Sequence, residues 1–180
     1  MQQTDFFKPH WKHRYQHGGN LRKLRKGRGS RPLNRKDPLH LVLKMNKGAC
    51  GGLRKPVTYT LVHRVIRQYS KRFFVKIEQV SVQSDHIHLL IRFTQRSLVQ
   101  HFFRVVAGQI SQRVTGTFRE KRSMDFWKHR PFTQVIKGFK AYKIVRDYIQ
   151  LNEKEALGHI PYQKQRLKGL SPEQLAELWS

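Results

Sequence analysis

The 180-residue chain reads as an α+β fold, a four-stranded antiparallel sheet with two helices on one face and an extra helix toward the C-terminus. Three observations predict it. From Pro38 onward, apolar spacing switches between two and three-to-four residues, in the order strand, helix, strand, strand, helix, strand, helix. The polar turn "QSD" joins the second and third strands as a hairpin. No internal repeat breaks the series, so the first six elements form one split βαβ unit of ferredoxin-like type.

Each element follows from its residues. "PLHLVLKM" alternates and is rich in strand formers. "LRKPVTYTLVHRVIRQYSKR" carries Val57, Leu61, Val65 and Ile66 at helical spacing, with Tyr69 extending the stripe. "FFVKIEQVSVQ" and "HIHLLIRF" are strands. "SLVQHFFRVVAGQISQRVTG" places Leu98, Phe102, Val105 or Val106, and Ile110 on one helix face, with Gly116 as stop signal. "KRSMDFWKHR" reads as loop and "PFTQVIKG" as the fourth strand. "FKAYKIVRDYIQLNEKEALG" is the third helix, with Gly158 at its C-terminal end. In "SPEQLAELWS", Ser171 caps a short helix that has Pro172 at its first position. The chain divides into a basic, aromatic arm (1–36), a central domain (37–158) and a tail (159–180). The arm "HGGNLRKLRKGRGSRPLNRK" has no apolar period. It is either a disordered, solvated arm without regular structure or, as its Arg and Lys density favours, a segment that orders on phosphates. His10, His13 and His17 lack cysteine or carboxylate neighbours and are not read as a metal site.

Lys and Arg number 37 against 11 Asp and Glu, a formal net charge of +26. Self-repulsion of that size opposes a compact state, so a polyanion is the expected partner, with nucleic acid leading. No basic helix carries the broad apolar face that a membrane surface requires. No apolar run approaches the ~20 residues of a bilayer span, and the N-terminus has no secretory core. The single Cys50 excludes an intramolecular disulfide framework. These features read as a soluble, cytoplasmic protein.

In "SDHIHLLIRF", Ile87, Leu89, Ile91 and Phe93 share the face under the first two helices. His86, His88, Leu90 and Arg92 share the other. Neighbouring side chains on one strand face lie roughly 7 Å apart, so two imidazoles can converge on one ion. Ordinary sheet-surface histidines fit the same spacing. In "DYIQLN", Tyr148 and Asn152 are one helical turn apart and share a face, whereas Tyr142 should face elsewhere. Asn152 offers a carbonyl oxygen to a metal. Tyr148 is either a nucleophile activated beside it or a core aromatic.

"DHIHLL" resembles the HUH motif of single-tyrosine transposases, and "YIQLN" resembles their nucleophile helix. "FWKHRPF", Phe126 to Phe132, brings the resemblance closest to the REP-associated tyrosine transposases. It spans roughly residues 38–158. It implies His86, His88 and Asn152 as ligands of Mg2+ or Mn2+, and Tyr148 as nucleophile. It further implies cleavage and rejoining of single-stranded DNA at hairpin-forming palindromes through a 5′-phosphotyrosine, in a bacterial cytoplasm at the nucleoid, by a monomer or homodimer. The family often has Asn where this chain has Asp85. An ideal strand turns Asp85 away from His86, so it reads as a turn residue, or as a rival ligand if the strand starts later. In the arm, Arg22, Arg25, Arg28 and Arg31 are expected on phosphates or guanine edges, and Trp11 and Tyr15 on unpaired bases. Neutralising about six phosphates of a single strand would give a log K against log[salt] slope of roughly −4. A binding-only descendant without nicking activity, and a hydrolase using water, are the alternatives.

Overall fold

The computed structural model describes residues 15–21, 30–116 and 126–179. Five strands and four α-helices follow in chain order among these residues. They are β1 (Gln16–His17), β2 (Leu39–Lys44), α1 (Pro56–Arg72), β3 (Val75–Val82), β4 (His86–Phe93), α2 (Arg96–Thr115), β5 (Phe132–Val135), α3 (Phe139–Ala156) and α4 (Pro172–Glu177), with a 3-10 turn at Arg166–Gly169 before α4. The strand order is β1-β5-β2-β4-β3, antiparallel throughout. The four strands other than β1 are the split βαβ sheet that the sequence pattern calls for.

β1 is an addition. The arm was expected to lack regular structure, yet Gln16 and His17 pair with Gln134 and Thr133 of β5. A two-residue strand carries no periodicity to read. Its continuation depends on Gly18 at φ 81, whose Cα faces the Pro131 carbonyl so closely that a Cβ would lie 2.2 Å from that oxygen.

The β2–β4 register sets Val42 opposite His88 and Leu41 opposite Leu89. Directly opposed residues share a face. One face therefore holds Leu39, Leu41, Leu43, Ile87, Leu89 and Ile91, all buried beneath α1 and α2. The other holds His40, Val42, Lys44, His86, His88 and Leu90, as the alternation predicts for β4. α3 crosses this second face, where Leu90, Ile136 and Ile149 form a separate small core with Val145 and Tyr148 against it. β3 is bulged between Ile77 and Gln79, which turns Glu78 toward Arg92 at 2.6 Å.

Both sheet-packing helices bury most of the stripe read from the sequence and depart from it only near their first turns. α1 buries Val62, Val65, Ile66 and Tyr69, while Val57 is 82% exposed. At 100° per residue Val57 stands about 140° from Val62, off the buried stripe. α2 buries Val99, Phe102, Phe103, Val106 and Ile110, leaving Leu98 half-buried and resolving the Val105/Val106 choice in favour of Val106. Gly116 (φ 68) ends α2 and Gly158 (φ 79) follows α3, as their positions suggest. Ser171 caps α4, completing a reciprocal capping box with Gln174. The tail docks on α3: Leu178 is buried with Leu151 and Ile160, and the Trp179 indole donates to Asp147 Oδ1 at 3.2 Å.

Candidate active site

The site lies at the β4 start, between the sheet and the C-terminal half of α3. His86 and His88 meet edge-to-face with ring centroids 4.7 Å apart, and Tyr148 comes down edge-on to His88 at 5.6 Å. Tyr148 and Asn152 descend on the same helix face, as one-turn spacing requires. Tyr142 also packs toward the Leu90 cluster rather than away from it. It sits farther along the sheet, where Arg92 lies over its ring at 5.8 Å.

The imidazoles are held by partners that the strand pattern alone did not reveal. Asp85 does more than turn the chain: its Oδ1 lies 2.5 Å from His86 Nδ1, and Lys44 approaches its Oδ2 at 3.8 Å. β4 starts at His86, so Asp85 is outside the pleat and free to curl back toward the ring. Burial opposes ionisation of Asp85. The His86 hydrogen bond and the charges of His86 and Lys44 outweigh it and hold the carboxyl below its usual range. A proton on His86 Nδ1, shared with Asp85, leaves His86 Nε2 as the lone-pair atom.

His40 is the second missed partner. Its Nε2 lies 3.0 Å from His88 Nδ1 and the rings stack at 5.2 Å. Burial lowers the His40 pKa to about 4, so it is neutral near pH 7. His88 is likewise held well below its ordinary value, first by burial and then by the charges of His40, His86 and Arg166. His88 Nε2 is buried with no hydrogen-bond partner. An orphaned buried ring nitrogen is costly unless something outside the protein satisfies it. β2 shows how His40 could have been found: in "PLHLVLKM" it shares a face with Val42 and Lys44, and that strand neighbours β4.

Asn152 is buried beside the pair. Its Nδ2 donates to the Tyr148 carbonyl at 2.7 Å, and its Oδ1 accepts from Arg166 Nη2 at 2.6 Å. Arg166 is the third unanticipated residue. It lies 5.2 Å over the Tyr148 ring and 5.5 Å over Tyr162, and it pairs with Glu155 at 2.8 Å. Its backbone takes φ 57, a left-handed conformation that non-glycine residues rarely adopt. The tail around it has no apolar period, so only the structure reveals its place. Glu153, next to Asn152, ties α3 to the far side of the sheet: it accepts from Tyr59 Oη at 3.0 Å and from the Val82 amide at 3.2 Å, with Arg54 at 3.6 Å.

The donor set suits a divalent ion. Two imidazoles can present Nε2 atoms, one of them orphaned and the other oriented through a carboxylate, and Asn152 would add a neutral oxygen in place of the bond it accepts from Arg166. Among the described residues no group of three or more His, Cys, Asp or Glu is arranged to hold a metal, so a two-histidine site needs such an amide, substrate or water to complete it.

The expected arm contacts divide. Trp11, Arg22, Arg25 and Arg28 lie outside the described residues. Arg31 turns inward: its Nη1 donates to the Pro131 carbonyl at 3.0 Å and to Thr133 Oγ1 at 2.6 Å, over the Phe103 ring. Burial, with Arg130 nearby, lowers its pKa to about 10. The Tyr15 carbonyl accepts from the Val135 amide, and Lys137 stands over the Tyr15 ring at 5.2 Å. No helix of the described residues is long and apolar enough to cross a membrane.

The fold and the site together are a split βαβ sheet carrying a histidine pair, with a tyrosine helix laid over that pair. Residues 37–152 match the profile of the IS200-like transposases, and the chain belongs to that family. Among solved structures it is similar to a REP-associated tyrosine transposase bound to a REP hairpin, at 15% identity and a TM-score of 0.59, covering 75% of this chain and 76% of that one. It is also similar to a putative transposase from Deinococcus radiodurans R1, at 16% identity and a TM-score of 0.43, covering 72% and 98%. No curated protein matches.

Proposed function

We propose that this transposase cleaves and rejoins single-stranded DNA at hairpin-forming palindromes, with Tyr148 as the nucleophile. The observation that carries the reading is the convergence of His86, His88, Tyr148 and Asn152 on one end of one sheet face. Within that group His88 Nε2 is buried without a hydrogen-bond partner and so has a lone pair to offer.

In this reading Tyr148 Oη attacks a backbone phosphorus. The P–O3′ bond breaks, a 5′-phosphotyrosine forms, the phenolic proton is lost and the departing 3′ oxygen gains one. A 3′-hydroxyl later reverses the exchange, so bond energy is conserved and no nucleotide cofactor is consumed. His86, His88 and Asn152 would hold Mg2+ or Mn2+, which supplies Lewis-acid polarisation of the phosphate. Asp85 and His40 keep the two imidazoles in one tautomer and orientation. Glu153 and Arg166 fix the height of α3 and hence the reach of Tyr148. The high positive charge attracts the DNA backbone. A hairpin is the substrate suggested by the DNA bound to the similar REP-associated enzyme.

A binding-only reading draws on one observation: Arg166 engages Asn152 Oδ1 and covers the Tyr148 ring. One experiment separates the two. Purified protein with Mn2+ and a hairpin oligonucleotide bearing a single-stranded flank should give an SDS-resistant protein–DNA adduct, and Tyr148→Phe should abolish the adduct while hairpin binding stays. Binding without adduct under any metal would favour the second reading, and cleavage surviving Tyr148→Phe would point to water as nucleophile.

A further inference from the structure

We propose that Phe74, at the end of the sheet remote from the histidines, is a stacking platform for an unpaired nucleobase of the DNA; this rests on the DNA-processing reading above. Phe74 follows the C-cap Phe73 of α1 and has φ 51. That position takes a left-handed backbone and is normally glycine. This chain obeys the rule elsewhere: Gly116 ends α2 and Gly158 follows α3, both at positive φ. At α1 a bulky aromatic takes that left-handed backbone, strained and 70% exposed. Among the described residues no ring or cation packs on Phe74, whereas Phe73 beside it is stacked between Tyr69 and His101 at 6.2 and 6.3 Å. An exposed ring in an unfavourable backbone contributes nothing to the fold that glycine would not contribute better. Its use therefore lies outside the fold.

The surroundings specify the occupant. Lys71, Arg72 and Lys76 are exposed around it, and Arg104 donates to His101 at 3.2 Å on the adjoining corner of α2. No Asp or Glu occurs between residues 54 and 77 or between 86 and 119. Arg64, Arg67 and Lys71 line a groove along α1 leading back toward Tyr59, and Tyr59 donates to Glu153 of α3, the helix that carries Tyr148. The 17 residues of α1 span about 25 Å, room for roughly seven stacked nucleotides. An aromatic face at the end of a cationic track, with Glu153 at the track's far end only, matches the combination by which proteins hold unpaired bases: phosphates on cations, bases on rings.

The test uses full-length protein without added metal, so that it is independent of the Tyr148 chemistry. Affinity is measured by fluorescence anisotropy for a hairpin with an unpaired flank and for a blunt duplex of equal charge, and stability by thermal melting. Phe74→Gly should melt at the same temperature as wild type or higher, yet bind the flanked hairpin on the order of tenfold more weakly, with little change on the blunt duplex. Phe74→Trp should bind the flanked hairpin at least as well as wild type. Unchanged binding by Phe74→Gly, equal loss on both DNAs, or a lower melting temperature would each overturn the proposal. If wild-type protein binds neither DNA, the DNA-processing reading itself fails, a result distinct from those three.

Discussion

Replacing Arg166 with alanine tests how α3 is held over the histidines. The guanidinium makes two bonds to the Glu155 carboxylate, at 2.8 and 3.1 Å, one to Asn152 Oδ1, and two ring contacts. The Glu155 side chain is only 10% exposed and that of Arg166 25%, so this pair lies between a surface pair, worth about 0–1 kcal/mol, and a buried one, whose breakage costs about 3–5 kcal/mol. We assign about 1–2 kcal/mol to the orphaned carboxylate. The lost Asn152 bond adds about 1 kcal/mol and the Tyr148 contact about 0.5 kcal/mol. Arg166→Ala should therefore lose about 3 kcal/mol in urea unfolding followed by far-UV circular dichroism, a large share of the ~5–15 kcal/mol typical of a domain. Arg166→Gly should be about 1 kcal/mol better than alanine, because only glycine takes φ 57 without strain. A double-mutant cycle with Glu155→Gln isolates the ion pair. Loss below about 0.5 kcal/mol for Arg166→Ala, or glycine falling below alanine, would refute the reasoning.

Two further outcomes follow from the site and the sheet edge. His40→Leu fills the same space without a ring nitrogen, so Mn2+ affinity by titration calorimetry should fall about 10–100-fold, as for other ligand-orienting partners, and an unchanged affinity would remove His40 from the site. Gly18→Ala drives a Cβ into the Pro131 carbonyl, so β1 should peel from β5. Amide exchange should then quicken at Gly19 and Val135, which bond to Arg130 and Tyr15 across that junction, and slow exchange persisting there would show the close approach to be tolerated.

Strand periodicity was the legible part of this chain. β4 is buried on both faces, yet its alternation still assigned Ile87 and Leu89 to one layer and His86 and His88 to the other. The one-turn spacing of Tyr148 and Asn152 put them together on α3. Legibility failed where a position depends on a partner distant in sequence. His40 belongs to the site only through the β2–β4 register, Asp85 through a backbone outside the pleat, and Arg166 through a tail that has no period of its own. On α1 the reading fails at Val57 alone, which precedes the covered part of the helix; Leu61 packs at the margin of the core, and Val65, Ile66 and Tyr69 are buried. The arm residue Arg31 looked like a phosphate contact because charge says nothing about direction. Its guanidinium is bonded to the rim of β5.

The two borders of the sheet bear on how copies of this molecule can meet. On one side, β3 is kinked by its bulge at Glu78, and the Val82 amide is already taken by Glu153. On the other, the last strand is two residues long and runs into Gly18 and Gly19 at positive φ. Among the described residues, neither border presents the long, flat row of open amides and carbonyls on which a foreign strand could zip. Polymerisation through continuous strands is thereby discouraged, and self-association is left to helix surfaces.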